Sequence, residues 1–137
     1  MPHTKSQASY WRNIPQWHRL EGVECKTCGQ FYFPSRSLCP ECRREGKLEM
    51  HGFTGKGTVY SYTVVHAPPQ GFELHRPYIM AIVQLNEGPK LTAQIVDCKK
   101  EDVKIGSKVE TVFRRVKDGT EGGIIQYGYK FKLKELA

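Results

Sequence analysis

The clearest pattern in the chain is a strict alternation of apolar and polar side chains near its end. Within residues 124–134, one face carries Tyr127, Tyr129, Phe131 and Leu133, and the other carries Gly128, Lys130, Lys132 and Lys134. Successive side chains of a β-strand point to opposite faces, so this segment predicts a strand. We expect its aromatic face in a core and its lysines on a solvated face.

Four earlier segments are also rich in the branched and aromatic residues that favour strands. They are 58–65, 78–85, 90–96 and 108–116. Residues 78–85 are almost continuously apolar, which predicts burial on both faces. The connections are too short for crossover helices, so we expect an antiparallel sheet. A five-stranded sheet protects its edges best by closing, which favours a barrel of the OB type.

The first part of the chain has a different period. Its large apolar residues recur at helical spacing, and they are Tyr10, Trp11, Ile14, Trp17 and Leu20. Pro15 is compatible with the first turn of a helix but not with a helix interior, so residues 5–21 predict two short helices. Gly22 is the expected stop. We therefore expect a mainly β protein in three parts: a helical arm (1–22), a cysteine-containing segment (23–50) and a barrel (51–137).

Two cysteine pairs carry the strongest chemical signal. Cys25 and Cys28 form one pair, and Cys39 and Cys42 form the other, each with two residues between the thiols. Two such turns supply the four sulfurs of a tetrahedral zinc site, which predicts a rubredoxin-like zinc ribbon. Gly29 suits the turn after the first pair, whereas Arg43 occupies the matching place after the second.

Two other readings of these cysteines remain open at this stage. Disulfides are disfavoured because no apolar stretch follows the polar residues 1–7, so no secretory signal is expected and the compartment should be the reducing cytoplasm. Iron is the second alternative, since the first pair and Tyr32 also resemble a rubredoxin. Four thiolates leave no open coordination position, which favours a structural over a catalytic metal. Cys98 lies beside two lysines that could lower its pKa, but we expect no catalytic role for it.

Charge adds a candidate binding surface. The chain has 21 Lys and Arg against 14 Asp and Glu, a net charge of +7, which favours anionic partners. The candidate contacts to an anion such as a phosphate are Lys56, Arg76, Arg114, Arg115, Lys130 and Lys132. No Walker loop, dinucleotide fingerprint, nucleophile elbow or zinc-protease motif occurs, so we expect no catalytic residue.

The order of these motifs resembles a known family. The segments that carry the resemblance are Tyr10-Trp11, the pairs Cys25–Gly29 and Cys39–Cys42, Phe33–Arg36, Gly57–Val65, Arg76–Tyr78 and Ile105–Val109. Together they are similar to the zinc-ribbon/OB-fold family of acyl-CoA-associated proteins, long catalogued as a domain of unknown function. The resemblance covers nearly the whole chain and implies that the four cysteines are metal ligands.

The resemblance also implies a function. Members of that family pair with thiolase-fold enzymes or with acyl-CoA hydratases and aldolases. In archaea they bridge acetoacetyl-CoA thiolase and hydroxymethylglutaryl-CoA synthase of the mevalonate pathway. We therefore expect a scaffold subunit that holds structural zinc and contacts CoA. A single-stranded nucleic-acid-binding protein is the alternative, because basic OB barrels and zinc ribbons are common there, and an iron-containing electron carrier is a third reading.

Overall fold

Two short helices begin the described part of the chain, which in this computed structural model comprises residues 7–116 and 125–134. They are α1, Gln7–Arg12, and α2, Ile14–Arg19, as expected from the helical spacing. The predicted stop at Gly22 is wrong, because Leu20 already leaves the helix in the left-handed conformation, with φ of 52°. No helix among these residues is long and apolar enough to cross a membrane.

Three short antiparallel strands form a small sheet in the cysteine-containing segment. They are β1, Glu21–Cys25; β2, Phe31–Tyr32; and β3, Leu48–Gly52. β1 is the central strand, with β2 and β3 on either side. Because β1 ends at Cys25, this sheet fixes the position of the first cysteine pair.

The five strands predicted from the second half of the chain occur within the described residues and close into a barrel. They are β4, Lys56–Val65; β5, Tyr78–Leu85; β6, Lys90–Val96; β7, Lys108–Arg115; and β8, Tyr127–Leu133. Their order around the barrel is β4, β5, β6, β8, β7, and the OB-type closure is confirmed. Residue 124, where the last strand was expected to begin, lies outside the described residues.

One strand pair differs from the antiparallel expectation. β6 and β8 run parallel, with Ile95 opposite Phe131 and Val96 opposite Lys132. The short-connection argument applies only to strands that follow one another in the chain, and β7 separates these two. The parallel pair closes the barrel.

The larger of two buried hydrophobic clusters among the described residues joins the parts of the molecule. Inside the barrel it contains fully buried side chains such as Phe131, Val83 and Val59. The same cluster includes Leu20, which follows α2, and Phe33 of the cysteine-containing segment. The helices, the small sheet and the barrel therefore pack as one unit.

The alternation of the strands was predicted better than the environment of each face. Tyr129 and Phe131 are buried as expected, but Tyr127 is 39% exposed, and Lys130 is only 4% exposed. The prediction that Lys130 lies on a solvated face is thus wrong. Burial of β5 on both faces is wrong too, since Ile82 is 39% exposed. A two-residue period identifies the two faces of a strand, but the elements that cover each face depend on tertiary packing.

Candidate metal centre and basic surfaces

The four predicted cysteines converge on one site. Their Sγ atoms all lie within 4.8 Å of one another. The Cys25 and Cys42 sulfurs are 4.0 Å apart, and the Cys28 and Cys39 sulfurs are 3.7 Å apart. A tetrahedral zinc site with bonds of about 2.3 Å requires sulfur–sulfur distances of roughly 3.8 Å. The arrangement therefore fits a tetrahedral metal held by both pairs.

The two cysteine pairs have the same backbone turn. After the first pair, the Gly29 N–H donates to the Cys25 carbonyl at 2.7 Å; after the second, the Arg43 N–H donates to the Cys39 carbonyl at 2.8 Å. Both turns end in the left-handed region, with φ of 75° at Gly29 and 54° at Arg43. Arg43 in place of glycine therefore leaves the geometry of the second turn the same as that of the first, but makes its backbone conformation less favourable.

The Thr27 hydroxyl links the first cysteine turn by hydrogen bonds to the residues that follow the second cysteine turn. It donates to the Glu45 carbonyl at 3.2 Å and accepts from the Lys47 N–H at 3.3 Å. Between these residues lies Gly46, where a β-carbon would come within 2.8 Å of the Cys39 β-carbon. The absence of a side chain at Gly46 therefore allows the chain to pass close behind the second pair.

Hydrogen bonds around the site favour a thiolate at Cys39. The Cys42 N–H donates to the Cys39 sulfur at 3.4 Å, and the Tyr32 hydroxyl lies 3.6 Å from it. The backbone N–H of Cys42 is the main cause that lowers the pKa of Cys39 to about 6. The hydrogen bond to Cys39 raises the pKa of Tyr32 to about 12. The Tyr32 hydroxyl therefore stays protonated and can donate a hydrogen bond to the Cys39 sulfur.

The four thiols do not ionise alike without a cation. Burial, followed by hydrogen bonds from the neighbouring cysteines, raises the pKa of Cys42 to about 12. Crowded thiolates repel one another, so a bound cation is needed to hold all four sulfurs deprotonated. This donor set is the one that zinc prefers in closed sites.

The six candidate anion contacts lie on different elements and differ in their surroundings. Lys56 and Lys132 lie on either side of Glu110 in the strand register, and the Lys132 ammonium is 3.3 Å from the Glu110 carboxylate. Arg114 forms an ion pair with Asp97 at 2.8 Å. Lys132 and Arg114 are therefore each paired with a neighbouring carboxylate.

The remaining members of the set differ in position and burial. Arg115 is exposed at the end of β7, Arg76 is exposed before β5, and Lys130 is buried. The sequence could not reveal these surroundings, since strand order decides which residues become neighbours.

Cys98 stands apart from the metal centre. It is half-buried, and burial, with the charges of Asp102 and Asp97, raises the pKa of its thiol. The alternative of a thiolate activated by the two adjacent lysines is therefore not supported. The residues that sequence reasoning missed at the metal centre are Thr27 and Gly46; their spacing from the cysteines gives no signal, because both act through the folded backbone.

Comparison with known proteins gives a consistent result for the two larger parts of the chain. The family described as "ChsH2, rubredoxin-like zinc ribbon domain" matches residues 12–49. The family described as "ChsH2, C-terminal OB-fold domain" matches residues 52–114. These matches agree with the ribbon and the barrel that the structure contains.

Individual relatives extend this likeness over most of the chain. A "DUF35 domain-containing scaffold protein" of Methanocaldococcus jannaschii is 55% identical over 89% of this chain and 86% of its own. "Benzoylsuccinyl-CoA thiolase subunit BbsA" of Thauera aromatica is 29% identical over 82% of this chain and 75% of its own. The solved structure "Ltp2-ChsH2(DUF35) aldolase" is similar with a TM-score of 0.71 and 27% identity, covering 97% of this chain and 98% of that one.

Proposed function

Because this chain belongs to the family of DUF35 domain-containing scaffold proteins, we propose that it is a non-catalytic subunit that holds acyl-CoA enzymes together. The observation that carries the proposal is the 55% identity to a scaffold protein over 89% of this chain. Similar proteins are named as a thiolase subunit and as part of an aldolase. These names support a thiolase-type enzyme as the partner. We propose, from the family resemblance, that the chain bridges it to a hydroxymethylglutaryl-CoA synthase of the mevalonate pathway.

The metal in this proposal is zinc with a structural role. Cys25, Cys28, Cys39 and Cys42 hold it, and it cross-links the two cysteine turns. A four-thiolate shell leaves no position for substrate. Zinc removal should therefore change the structure and stability of the ribbon, and the zinc should have no catalytic role.

Substitution of one ligand tests the metal site. Cys39→Ser should lose the bound zinc and unfold the ribbon, whereas Cys98→Ser should keep it because Cys98 lies outside the site. Metal content is measured by elemental analysis of the purified proteins. A Cys39→Ser protein with the wild-type zinc content would contradict the four-thiolate site, and a red protein containing iron would favour the electron carrier.

Exposed aromatic side chains provide anchors for a protein partner. Phe113 and Tyr127 stack with their ring centroids 5.5 Å apart, and they are 51% and 39% exposed. Trp11 of α1 is 71% exposed, unlike Trp17, which packs against the core. Aromatic residues dominate the energetics of protein interfaces, so these exposed rings are candidate anchors for a protein partner.

Reconstitution tests the scaffold function. The chain is mixed with a purified acetoacetyl-CoA thiolase and a hydroxymethylglutaryl-CoA synthase from the same cells, and the complex is measured by size-exclusion chromatography with light scattering. We expect one complex with all three proteins, and Phe113→Ala should weaken it about tenfold or more. Leu74→Ala, which changes an 86% exposed side chain elsewhere, is the control. Separate elution of the three proteins would contradict the function.

The nucleic-acid alternative has less support. Base stacking along β8 would need its aromatic face to be exposed, but only Tyr127 is, at 39%, while Tyr129 and Phe131 are 8% and 0% exposed. Binding to single-stranded nucleic acid should also weaken steeply as salt is raised. Tight, salt-dependent binding of an oligonucleotide, together with failure to assemble with the enzymes, would favour this alternative over the scaffold.

A further inference from the structure

The second half of β4 has one open edge. On one side, residues 61–65 pair antiparallel with β5. On the other side, the pairing with β7 ends at Thr58, and Val59 is hydrogen-bonded to the loop 104–107. Beyond Val59, no backbone hydrogen bond joins that side of β4 to any other described residue. Residues 61–65, which we call the free edge, therefore offer backbone groups to a further strand.

The free edge lacks the features that usually protect an exposed strand. Its sequence is Ser-Tyr-Thr-Val-Val, with no charged residue and no proline. Ser61, Tyr62 and Thr63 are exposed. Proteins usually protect such an edge with charges or proline, or cover it, because an open edge associates with other chains. A bulge between Val59 and Ser61 precedes the free edge and leaves its own pairing regular. These features favour an edge that another strand covers.

The position of the free edge limits what can cover it. A strand that is added beside it lies in line with β7 and meets the loop 104–107, because that loop occupies the same side of Val59. Only a strand about as long as the free edge fits before this loop. The β4 strand of a second copy meets this limit, since it ends at Val65 and is followed by Pro68 and Pro69. Proline cannot donate to a strand ladder, so the chain leaves the sheet there.

We propose that the chain forms a dimer in which two free edges pair antiparallel, with Thr63 on the two-fold axis opposite Thr63 of the second copy. Tyr62 then lies opposite Val64 of the second copy, and Ser61 lies opposite its Val65. Pairs of threonines, and aromatic residues opposite branched ones, stabilise antiparallel strands, and no like charges meet. Because both copies use the same surface, the contact closes on itself and gives a dimer rather than a fibre.

The pairing reaches the loop before β7 but not the end of that strand. Ala67 of one copy comes against the loop 104–107 of the second copy, where Ile105 is 71% exposed. Phe113 lies near the end of β7, stacked on Tyr127. The dimer therefore carries the exposed aromatic pair twice, which gives a scaffold two sets of anchors. The inference goes beyond the proposed function, and its test needs no partner enzyme.

Sedimentation equilibrium of the zinc-loaded full chain tests the proposal. We expect a mass twice the 15.7 kDa of the chain. Thr63→Glu sets two carboxylates opposite each other and should weaken dimerisation about tenfold or more, and Thr63→Lys should do the same with two ammonium groups. A mixture of the two variants should dimerise again, because opposite charges then meet. Thr92→Glu, the same change at an exposed position of β6, should leave the dimer unchanged.

Thermal unfolding and hydrogen exchange complete the test. All three variants should unfold near the wild-type temperature, which shows that a loss of the dimer is not a loss of the fold. The free-edge amides that point away from β5 should exchange slowly in the wild-type protein and faster in Thr63→Glu. Recovery of the dimer in the mixed variants, with these amides protected again, would support the pairing directly.

Three results would overturn the proposal. The first is a wild-type chain that stays monomeric at the highest concentration measured. The second is a dimer that persists in both Thr63 variants, since its interface would lie elsewhere. The third is a mixture of the variants that remains monomeric. If the free-edge amides of a monomeric wild-type chain become protected only after the thiolase and the synthase are added, a strand of a partner covers the edge, and the second copy is the wrong occupant.

Discussion

At the scale of single residues, the second cysteine turn holds a conformation that its sequence does not favour. Arg43 has φ of 54°, in the left-handed region that glycine occupies at Gly29 in the first turn. A side chain in this region costs about 1–2 kcal/mol because its β-carbon approaches the backbone oxygen. The protein tolerates this cost since the turn positions the Cys42 N–H on Cys39.

Replacing that residue should therefore stabilise the protein. Arg43→Gly relieves the backbone strain, partly offset by the greater freedom of glycine in the unfolded chain, for a net gain of roughly 0.5–1 kcal/mol. Urea unfolding of the zinc-loaded protein measures it. Arg44→Gly is the control, since Arg44 is exposed and has no positive φ, and it should lower stability. If both variants lose the same free energy of unfolding, the turn is not strained at Arg43.

A substitution at Gly46 should weaken the metal site. A β-carbon there would lie 2.8 Å from the Cys39 β-carbon and 3.1 Å from that of Cys42, so Gly46→Ala must displace a ligand. Displaced ligands should lower the zinc affinity roughly tenfold, by analogy with the loss of a supporting contact. Competition with a chelator measures the affinity. Gly52→Ala meets no atom within 4 Å and should leave it unchanged; the same affinity in both proteins would contradict the crowding.

At the scale of elements, α1 is fastened to the barrel by one tyrosine. The Tyr127 N–H donates to the Tyr10 hydroxyl at 3.0 Å, and that oxygen lies 2.8 Å from Nε2 of His18. His18 in turn meets the Phe113 ring edge-on, with centroids 4.9 Å apart. Tyr10 thus links both helices to the beginning of β8, beside the exposed aromatic pair.

Loss of the Tyr10 hydroxyl should weaken the attachment of α1 and α2 to the barrel. Tyr10→Phe removes the acceptor for the Tyr127 N–H and should lower the free energy of unfolding by about 1 kcal/mol. Hydrogen exchange should report faster exchange at the Tyr127 amide. Tyr60→Phe is the matched control, since Tyr60 is 54% exposed. Unchanged exchange at Tyr127 would mean that the helices are held by other contacts.

The helices and strands also show how much of the fold could be predicted from the sequence. Five strands and two helices follow from local periodicity, because each period reflects the geometry of a single element. The burial of Lys130 and the exposure of Tyr127 depend on neighbours that are remote in the chain. The parallel pairing of β6 with β8 likewise depends on contacts between residues far apart in the chain.

The metal centre was easier to predict than the basic surface for a similar reason. Two-residue spacing brings each pair of thiols together locally, and the chemistry of zinc then requires that the pairs meet. No such rule connects Lys56, Arg76 and Arg114, whose positions are set by different strands and loops. A ligand set constrained by coordination geometry can therefore be recognised from spacing, whereas a patch of cations cannot.

At the scale of the whole molecule, the ribbon and the barrel share one core. Phe33 packs edge-on against Tyr129 of β8 with ring centroids 5.6 Å apart, and against Phe53 at 6.0 Å. Phe53 and Leu20 belong to the same buried cluster as the barrel strands. A change in the ribbon should therefore reach the barrel through these aromatic contacts.

Zinc removal tests this connection. Chelation should lower the unfolding temperature of the whole chain, because metal binding contributes to the folding of the ribbon, whose side chains complete the barrel core. Circular dichroism in the near ultraviolet, to which buried aromatic side chains such as Tyr129 contribute, follows the loss of tertiary packing. Restoring zinc should restore the temperature. A barrel transition that is unchanged after chelation would mean that the two parts are energetically independent.

The position of β8 between β6 and β7 has a consequence for biosynthesis. Residues 21–52 leave the ribosome before any strand of the barrel, so the ribbon can bind its metal while the rest of the chain is still being made. The barrel must wait, because the strand that joins its two open edges is translated after the other four. During that interval β6 and β7 present unpaired backbone groups, which favours association with other chains. The newly made protein is therefore most vulnerable to misassembly just before β8 emerges.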